Sequence, residues 1–335
     1  MSIAPFAISL GDPAGIGPEI VAKAWEHRHV RALPCFFAVG DAAALAAVWD
    51  GPVVRIEEPA RAAEAFNGAL PCLHIDDGGP VIPGQPSYEG ARTALQSLEI
   101  SAGLARSCSA GGIITAPVSK KQLYSVGFTH AGQTEFIAER CGVAKSNAVM
   151  MLVGPSLRVV PITTHIALKE VPEALSIELI KARALATAKG LQKNFAIHSP
   201  RLVIAGLNPH AGEDGALGME EIDIIIPAVE QLRAEGIDIT GPLPADSMFH
   251  ERVRGRYDVA LCMYHDQALI PLKTLHFDEG VNMTLGLPIV RTSPDHGTAF
   301  DIAGKGEANP GAMIAAIEVA ATSAENRLSY CCPSA

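Results

Sequence analysis

The chain has 335 residues, 48% of them hydrophobic and 19% charged, enough for one large or two ordinary globular domains. Its formal net charge of −10 argues against a nucleic-acid backbone or an anionic membrane surface as the main partner. No apolar stretch approaches the roughly 18 residues of a membrane span, no basic region precedes the first apolar run, and seven scattered cysteines suit a reducing cytoplasm.

Strand-like and helix-like segments alternate from the start. FAISLGD leads into PEIVAKAWEH, and PCFFAVGD into AAALAAVWD. The first strand ends in Gly11-Asp12-Pro13-Ala14-Gly15-Ile16-Gly17-Pro18-Glu19, which is neither a G-x-G-x-x-G fingerprint nor a P-loop. Residues 76–87, DDGGPVIPGQPS, read as loop, and a long helix follows from Tyr88 towards Ala110. GGIITAP then precedes SKKQLYSVG. The apolar runs NAVMMLVG and LRVVPITTH are separated only by Pro155 and Ser156, which predicts a hairpin and therefore a mixed sheet. RLVIAGLNP precedes EEIDIIIPAVEQLRAEG, and a closing helix runs from about Asn309 to Arg327. The pattern is that of α/β layers around a largely parallel sheet. With no repeat and no linker, it fits a two-lobed fold in which the chain leaves one lobe and later returns to it.

Three apolar runs break into polar residues at a histidine: LRVVPITTH at His165, RLVIAGLNPH at His210 and DVALCMYHD at His265. Ligands of open α/β sheets gather beyond the carboxyl ends of strands, so three imidazoles in that context are candidates for a divalent-metal site. Each alone reads more readily as a strand-end histidine with a backbone partner, and it is the context shared by all three that raises the metal reading. Thr134 reads as the N-cap of a helix whose free N–H groups offer an anion site. Asp246, after GIDITGPLPA, reads either as a base or as a cap for a helix starting at Ser247. Lys273, Asn282 and Arg291 supply an ammonium, an amide and a guanidinium suited to phosphate or carboxylate. Residues 295–310 form a polar, glycine-rich loop entering the last helix.

The ordered set GDPAGIGPEI, TAPVSK, GQTEF, TTH, GLNPHAGE, GPLPAD, MYHDQ and VNMTLGLPIVRTSPDHGTAFDIAGKG resembles the 4-hydroxythreonine-4-phosphate dehydrogenases from about residue 6 to residue 322. HGTAFDIAGKGEANP also resembles the adenosine-binding loop of isocitrate and isopropylmalate dehydrogenases. The resemblance implies two α/β/α lobes with the active site in the cleft between them. Residues 1–135 and 290–328 would form the first lobe, 136–289 the second, and 329–335 a tail. It implies NAD- or NADP-dependent oxidation of 4-phosphooxy-L-threonine and decarboxylation to 3-amino-2-oxopropyl phosphate, on the route to pyridoxal 5'-phosphate. It assigns one zinc, magnesium or cobalt ion to His165, His210 and His265, and a catalytic role to Asp246 or Asp266. Substrate contacts fall on Gln133, Thr134, Lys273, Asn282 and Arg291. Cofactor contacts fall on Asp295, Gly297, Asp301, Gly304 and Asn309. It further implies a cytoplasmic homodimer with its active site at the subunit interface and one ligand histidine, His265, from the partner.

One position departs from the pattern. Gln133 stands where the family carries histidine, keeping an N–H donor but unable to become cationic. The alternative substrates are threonate or erythronate 4-phosphate and, more distantly, the cis-dihydrodiols of aromatic dicarboxylates. A phosphoryl or acyl transferase of related fold needs neither the three histidines nor the adenosine-like loop. A non-catalytic sugar-phosphate binder needs no metal constellation.

Overall fold

The computed structural model describes residues 3–75 and 79–331. The loop expected over residues 76–87 therefore falls partly outside the described residues, as does Cys332. From residue 79 to 87 the chain forms only an isolated bridge, Ile82 to Gln85.

The chain divides into two compact units, Met1–Lys145 with Leu287–Glu325, and Ser146–Gly286 with Asn326–Ala335. The first unit carries the strands β1 (Phe6–Ser9), β2 (Phe36–Gly40), β3 (Val53–Ile56), β4 (Leu70–His74), β5 (Ile113–Thr115) and β12 (Arg291–Pro294). They lie in the order β3-β4-β2-β1-β5-β12, and every pair is parallel. Parallel strands are joined by crossovers and covered on both faces, so they read as continuous apolar runs. That is the state of FAIS and FFAVG, in which every residue is buried.

Helices α1 (Gly17–Glu26), α2 (Tyr88–Arg106) and α3 (Gln133–Arg140) belong to this unit. Pro18 opens α1, where its missing N–H costs nothing. Ser87 caps α2 by accepting the Gly90 N–H at 3.0 Å. Gly11 joins β1 to the turn before α1 at φ +69°, and a Cβ there would stand 2.2 Å from the Pro117 carbonyl oxygen. Only glycine fits that approach.

The second unit holds β6 (Val149–Gly154), β7 (Leu157–Pro161), β8 (Leu202–Ala205), β9 (Ile239–Leu243), β10 (Val259–Cys262) and β11 (Val281–Leu285), in the order β11-β6-β7-β10-β8-β9. The predicted hairpin forms: β6 and β7 pair antiparallel around Pro155 and Ser156. β11 is also antiparallel to β6, while β7, β10, β8 and β9 run parallel. Its helices are α4 (Ile177–Phe195), α5 (Ile226–Ala234) and α6 (His265–His276). The last helix, α7 (Gly311–Cys331), ends about a turn beyond the point the sequence pattern predicts. Ser329 and Tyr330 are thus helical rather than tail. No helix among the described residues is long and apolar enough to cross a membrane.

The core of the second unit is built on β10. Val259, Ala260, Leu261 and Cys262 are all fully buried, and burial pushes the Cys262 thiol well above its ordinary range. Leu261→Ala removes a side chain flanked on both sides by neighbouring strands. It is expected to cost about 2–5 kcal/mol, read from urea unfolding.

Candidate functional site

The three histidines follow three adjacent parallel strands. β10 lies between β7 and β8, so the three carboxyl ends face one way. His165 follows β7, His210 follows β8, and His265 opens α6 directly after β10. Short hydrogen bonds tie these ends together. Ile162 N–H donates to the Cys262 carbonyl at 2.7 Å, and Thr163 Oγ1 donates to the Met263 carbonyl at 2.7 Å. Met263 N–H donates to Gln267 Oε1 at 2.6 Å, while Gln267 Nε2 donates to the Gly206 carbonyl at 2.8 Å. Gln267 is buried and satisfied at both ends of its amide, so it fixes the spacing between the β8 and β10 ends.

The rings of His165 and His265 stand 5.7 Å apart, centroid to centroid. They line a recess of about 230 Å³ with Thr163, Tyr264 and Asp266. Asp266 Oδ1 lies 2.8 Å from His265 Nδ1, a carboxylate–imidazole contact that orients the ring and makes Nε2 the nitrogen available to a ligand. His210 does not line this recess. It begins a left-handed turn, His210 to Asp214, with φ between 44° and 83° at all five residues. Left-handed helical backbone costs about 1–2 kcal/mol for each residue other than glycine. Among the described residues no group of three or more His, Cys, Asp and Glu stands together in a metal-binding arrangement. The donors themselves suit a divalent ion: two imidazoles on neighbouring strand ends, one already oriented by a carboxylate.

Asp246 lies beyond β9 in a short helix, Ala245–Met248, which Pro244 precedes at the capping position. Its side chain is exposed and does not cap that helix. On α6, His265, Leu269 and Lys273 are spaced four apart and line one side of the helix with Asp266. Asn282 sits on β11, and its Oδ1 is buried with no hydrogen-bond partner among the described residues.

The first unit gathers the other candidate anion contacts. Arg291 is 3% exposed, its Nη2 donating to Thr115 Oγ1 at 2.9 Å and its Nη1 to Thr134 Oγ1 at 3.4 Å. Burial pulls its pKa down to about 10, opposed by the Glu135 carboxylate. It remains a cation at neutral pH and would gain from an anionic ligand. Thr134 is not the cap the sequence predicts. Gly132 holds that position, which makes Gln133 the first helical residue and places Thr134 in the first turn. Gln133 Nε2 donates to the Ala116 carbonyl at 3.3 Å.

The loop from Asp295 to Pro310 is fastened to α1. Ile16 N–H donates to the Thr298 carbonyl at 3.0 Å. Lys23 Nζ donates to the carbonyls of Gly306 (2.8 Å) and Ala308 (2.7 Å) and to Glu19 Oε1 (2.8 Å). Glu19 Oε1 also accepts the Ala308 N–H at 3.0 Å. Asp301 and Gly304 are exposed along this loop, as is Gly297. Asn309 Oδ1 accepts the Gly311 N–H at 2.8 Å, which caps α7.

Comparison with known proteins supplies the family. Residues 32–320 match the family model described as pyridoxal phosphate biosynthetic protein PdxA. The chain belongs to this family. It is 57% identical over 326 residues to the 4-hydroxythreonine-4-phosphate dehydrogenase of Zymomonas mobilis, covering 97% of each chain. It is similar to the crystal structure of 4-hydroxythreonine-4-phosphate dehydrogenase from Klebsiella pneumoniae, with TM-score 0.85, 36% identity and coverage of 96% of this chain and 98% of that one. The fold alone is shared with isocitrate dehydrogenase from Methylococcus capsulatus, at TM-score 0.50 and 14% identity over 97% of this chain and 87% of that one.

Sequence reasoning gave no role to Gln267, Thr115, Glu19 or Lys23. The last two lie in the stretch GPEIVAK, where the spacing of four between Glu19 and Lys23 was the available signal. Lys23→Met leaves two carbonyls without their donor and a buried carboxylate without its cation, with the Ala308 N–H still bonded to it. Amide exchange at Ala308 is expected to rise by at least about tenfold, while exchange in β1 and β5 stays unchanged. Hydrogen exchange followed by mass spectrometry reads both.

Proposed function

We propose that this protein is an NAD(P)-dependent 4-hydroxythreonine-4-phosphate dehydrogenase of pyridoxal phosphate biosynthesis, working as a cytoplasmic homodimer. The family carries the enzyme class, and the observation that carries the site is the alignment of His165, His210 and His265 beyond three adjacent, cross-linked strand ends. Together they would hold one divalent ion, zinc, magnesium or cobalt. In this reading the partner subunit supplies His265 to a set that His165 and His210 begin, so a second copy would complete it. Exposed apolar residues on and beside α6, Ile270 at 64% and Phe277 at 75%, suit burial against such a copy.

In this reading Lys273, Asn282, Thr134, Gln133 and Arg291 hold the substrate's phosphate and carboxylate. The Arg291 cation, already desolvated, loses little hydration when it meets an anion. The carboxylate of Asp246 takes the proton of the secondary alcohol, with Asp266 holding His265 in orientation. A nicotinamide cofactor would accept the hydride from the same carbon, and Asp295, Gly297, Asp301, Gly304 and Asn309 are the residues that would hold its adenosine end. An ion held by the histidines would supply Lewis-acid polarisation of the reacting oxygen. The product is a β-keto acid, so its carboxylate departs as carbon dioxide and leaves 3-amino-2-oxopropyl phosphate.

Two measurements test this reading. Purified protein loaded with cobalt or zinc should reduce NAD or NADP with 4-phosphooxy-L-threonine and release carbon dioxide. Faster reduction with threonate 4-phosphate would move the enzyme to sugar-acid oxidation. Gln133→His restores a group able to carry positive charge beside the anion contacts. It is expected to lower KM for the phosphorylated substrate about two- to tenfold, most strongly below pH 6.5, with kcat little changed. A KM unaltered from pH 5.5 to 8 would make position 133 peripheral.

A further inference from the structure

The segment that carries His210 is held by a buried carboxylate to which no role has been given. Glu221 is 1% exposed and opens a single π-helical turn, Glu221–Ile225, ahead of α5. Its Oε1 accepts two consecutive backbone N–H groups, Leu207 at 2.7 Å and Asn208 at 2.8 Å. Its Oε2 accepts Asn208 Nδ2 at 2.9 Å, a side chain that also donates to Glu220 Oε2 at 2.8 Å. These amides lie immediately after β8 and immediately before His210.

The surrounding backbone is shaped to this carboxylate. A Cβ on Gly206 would lie 3.0 Å from Glu221 Oε1, and one on Gly212 would lie 2.6 Å from Oε2. The chain therefore wraps the carboxylate with glycine at both points of closest approach. Between them His210 and Ala211 take left-handed backbone, and Glu213 and Asp214 continue it. Such a run does not persist unless its surroundings over-determine it, and strained backbone of this kind gathers at functional sites. π-turns inserted ahead of α-helices gather there too. A buried carboxylate whose partners among the described residues are all amides is costly to maintain. A loop with no positional demand would not need one.

We propose that Glu221 is a positioning residue for His210: its carboxylate clamps residues 207 and 208 so that the left-handed turn presents the imidazole in a fixed place at the end of β8. This rests on the reading of His210 as a metal ligand. Glutamine at 221 keeps the size of the side chain but turns one acceptor into a donor facing Asn208 Nδ2, itself a donor. Aspartate keeps the charge and falls a methylene short.

The test is cobalt(II) binding to the full-length protein, read from its visible absorption and by titration calorimetry, without turnover. His210→Ala, Glu221→Gln and the double variant are compared with the parent, with circular dichroism and thermal unfolding as controls. Loss of an outer-shell partner of a ligand lowers metal affinity by about 10- to 100-fold. Glu221→Gln is expected to weaken cobalt binding by at least tenfold. His210→Ala should weaken it further, and adding Glu221→Gln to that variant should change nothing more, because the clamp acts only through His210. Parental affinity in Glu221→Gln alongside weak binding by His210→Ala would overturn the clamp and leave the ligand standing. Parental affinity in His210→Ala would overturn both. Should Glu221→Gln not fold, Asn208→Ala removes one donor and is expected to weaken binding two- to fivefold; unchanged binding there would overturn the proposal.

Discussion

The second unit depends on keeping the ends of β7, β10 and β8 in register. Parallel strands leave their last carbonyl and amide groups open where side chains must gather, and those groups need partners. Thr163 meets the Met263 carbonyl, Gln267 spans from Met263 to Gly206, and Glu221 closes on residues 207 and 208. The polar groups freed by ending three strands are thus paired with one another instead of with water. The three histidines stand on this network, so their placement follows from satisfying the sheet's own hydrogen bonds.

Electrostatics divide along the same lines. In the proposed reading a chain of formal charge −10 binds a phosphorylated anion, which calls for local cations set against its overall field. Arg291 is the extreme case, buried and depressed towards 10, with hydroxyl partners rather than a carboxylate in its hydrogen bonds to Thr115 and Thr134. The Glu135 carboxylate supports the charge, and an anionic ligand would add to that support. Lys273 differs: it is a point charge on α6 beside the Phe277 ring, where a guanidinium offers a fixed fork.

Most strands and long helices were legible in the sequence, because continuous apolar runs such as FFAVG and VALC admit few other readings once Gly, Pro and polar clusters bound them. The Pro155-Ser156 hairpin was legible for the same reason. The histidines were legible as strand-end residues because each ends such a run. What escaped was set by long-range pairing or by backbone conformation. Thr134 looks like a cap, yet Gly132 serves, since the first turn of α3 has to place Thr134 beside Arg291. NPHAGEDG reads only as a polar loop, because glycines at 212 and 215 do not disclose that His210, Ala211, Glu213 and Asp214 join them in left-handed backbone. Gln267 and Glu221 look like ordinary polar residues on amphipathic helices. Their partners are backbone groups just beyond strand ends, Met263 and Gly206 for Gln267 and Leu207 and Asn208 for Glu221, and neither propensity nor periodicity encodes that.

The central claim is that the three strand-end histidines form one metal site. Anomalous X-ray diffraction from crystals of the zinc-loaded protein, collected on both sides of the zinc edge, tests it directly. The account predicts one anomalous peak per subunit, with His165, His210 and His265 side chains as its protein ligands and at least one of them contributed by a second copy. A peak elsewhere, or one held without His210, would contradict it.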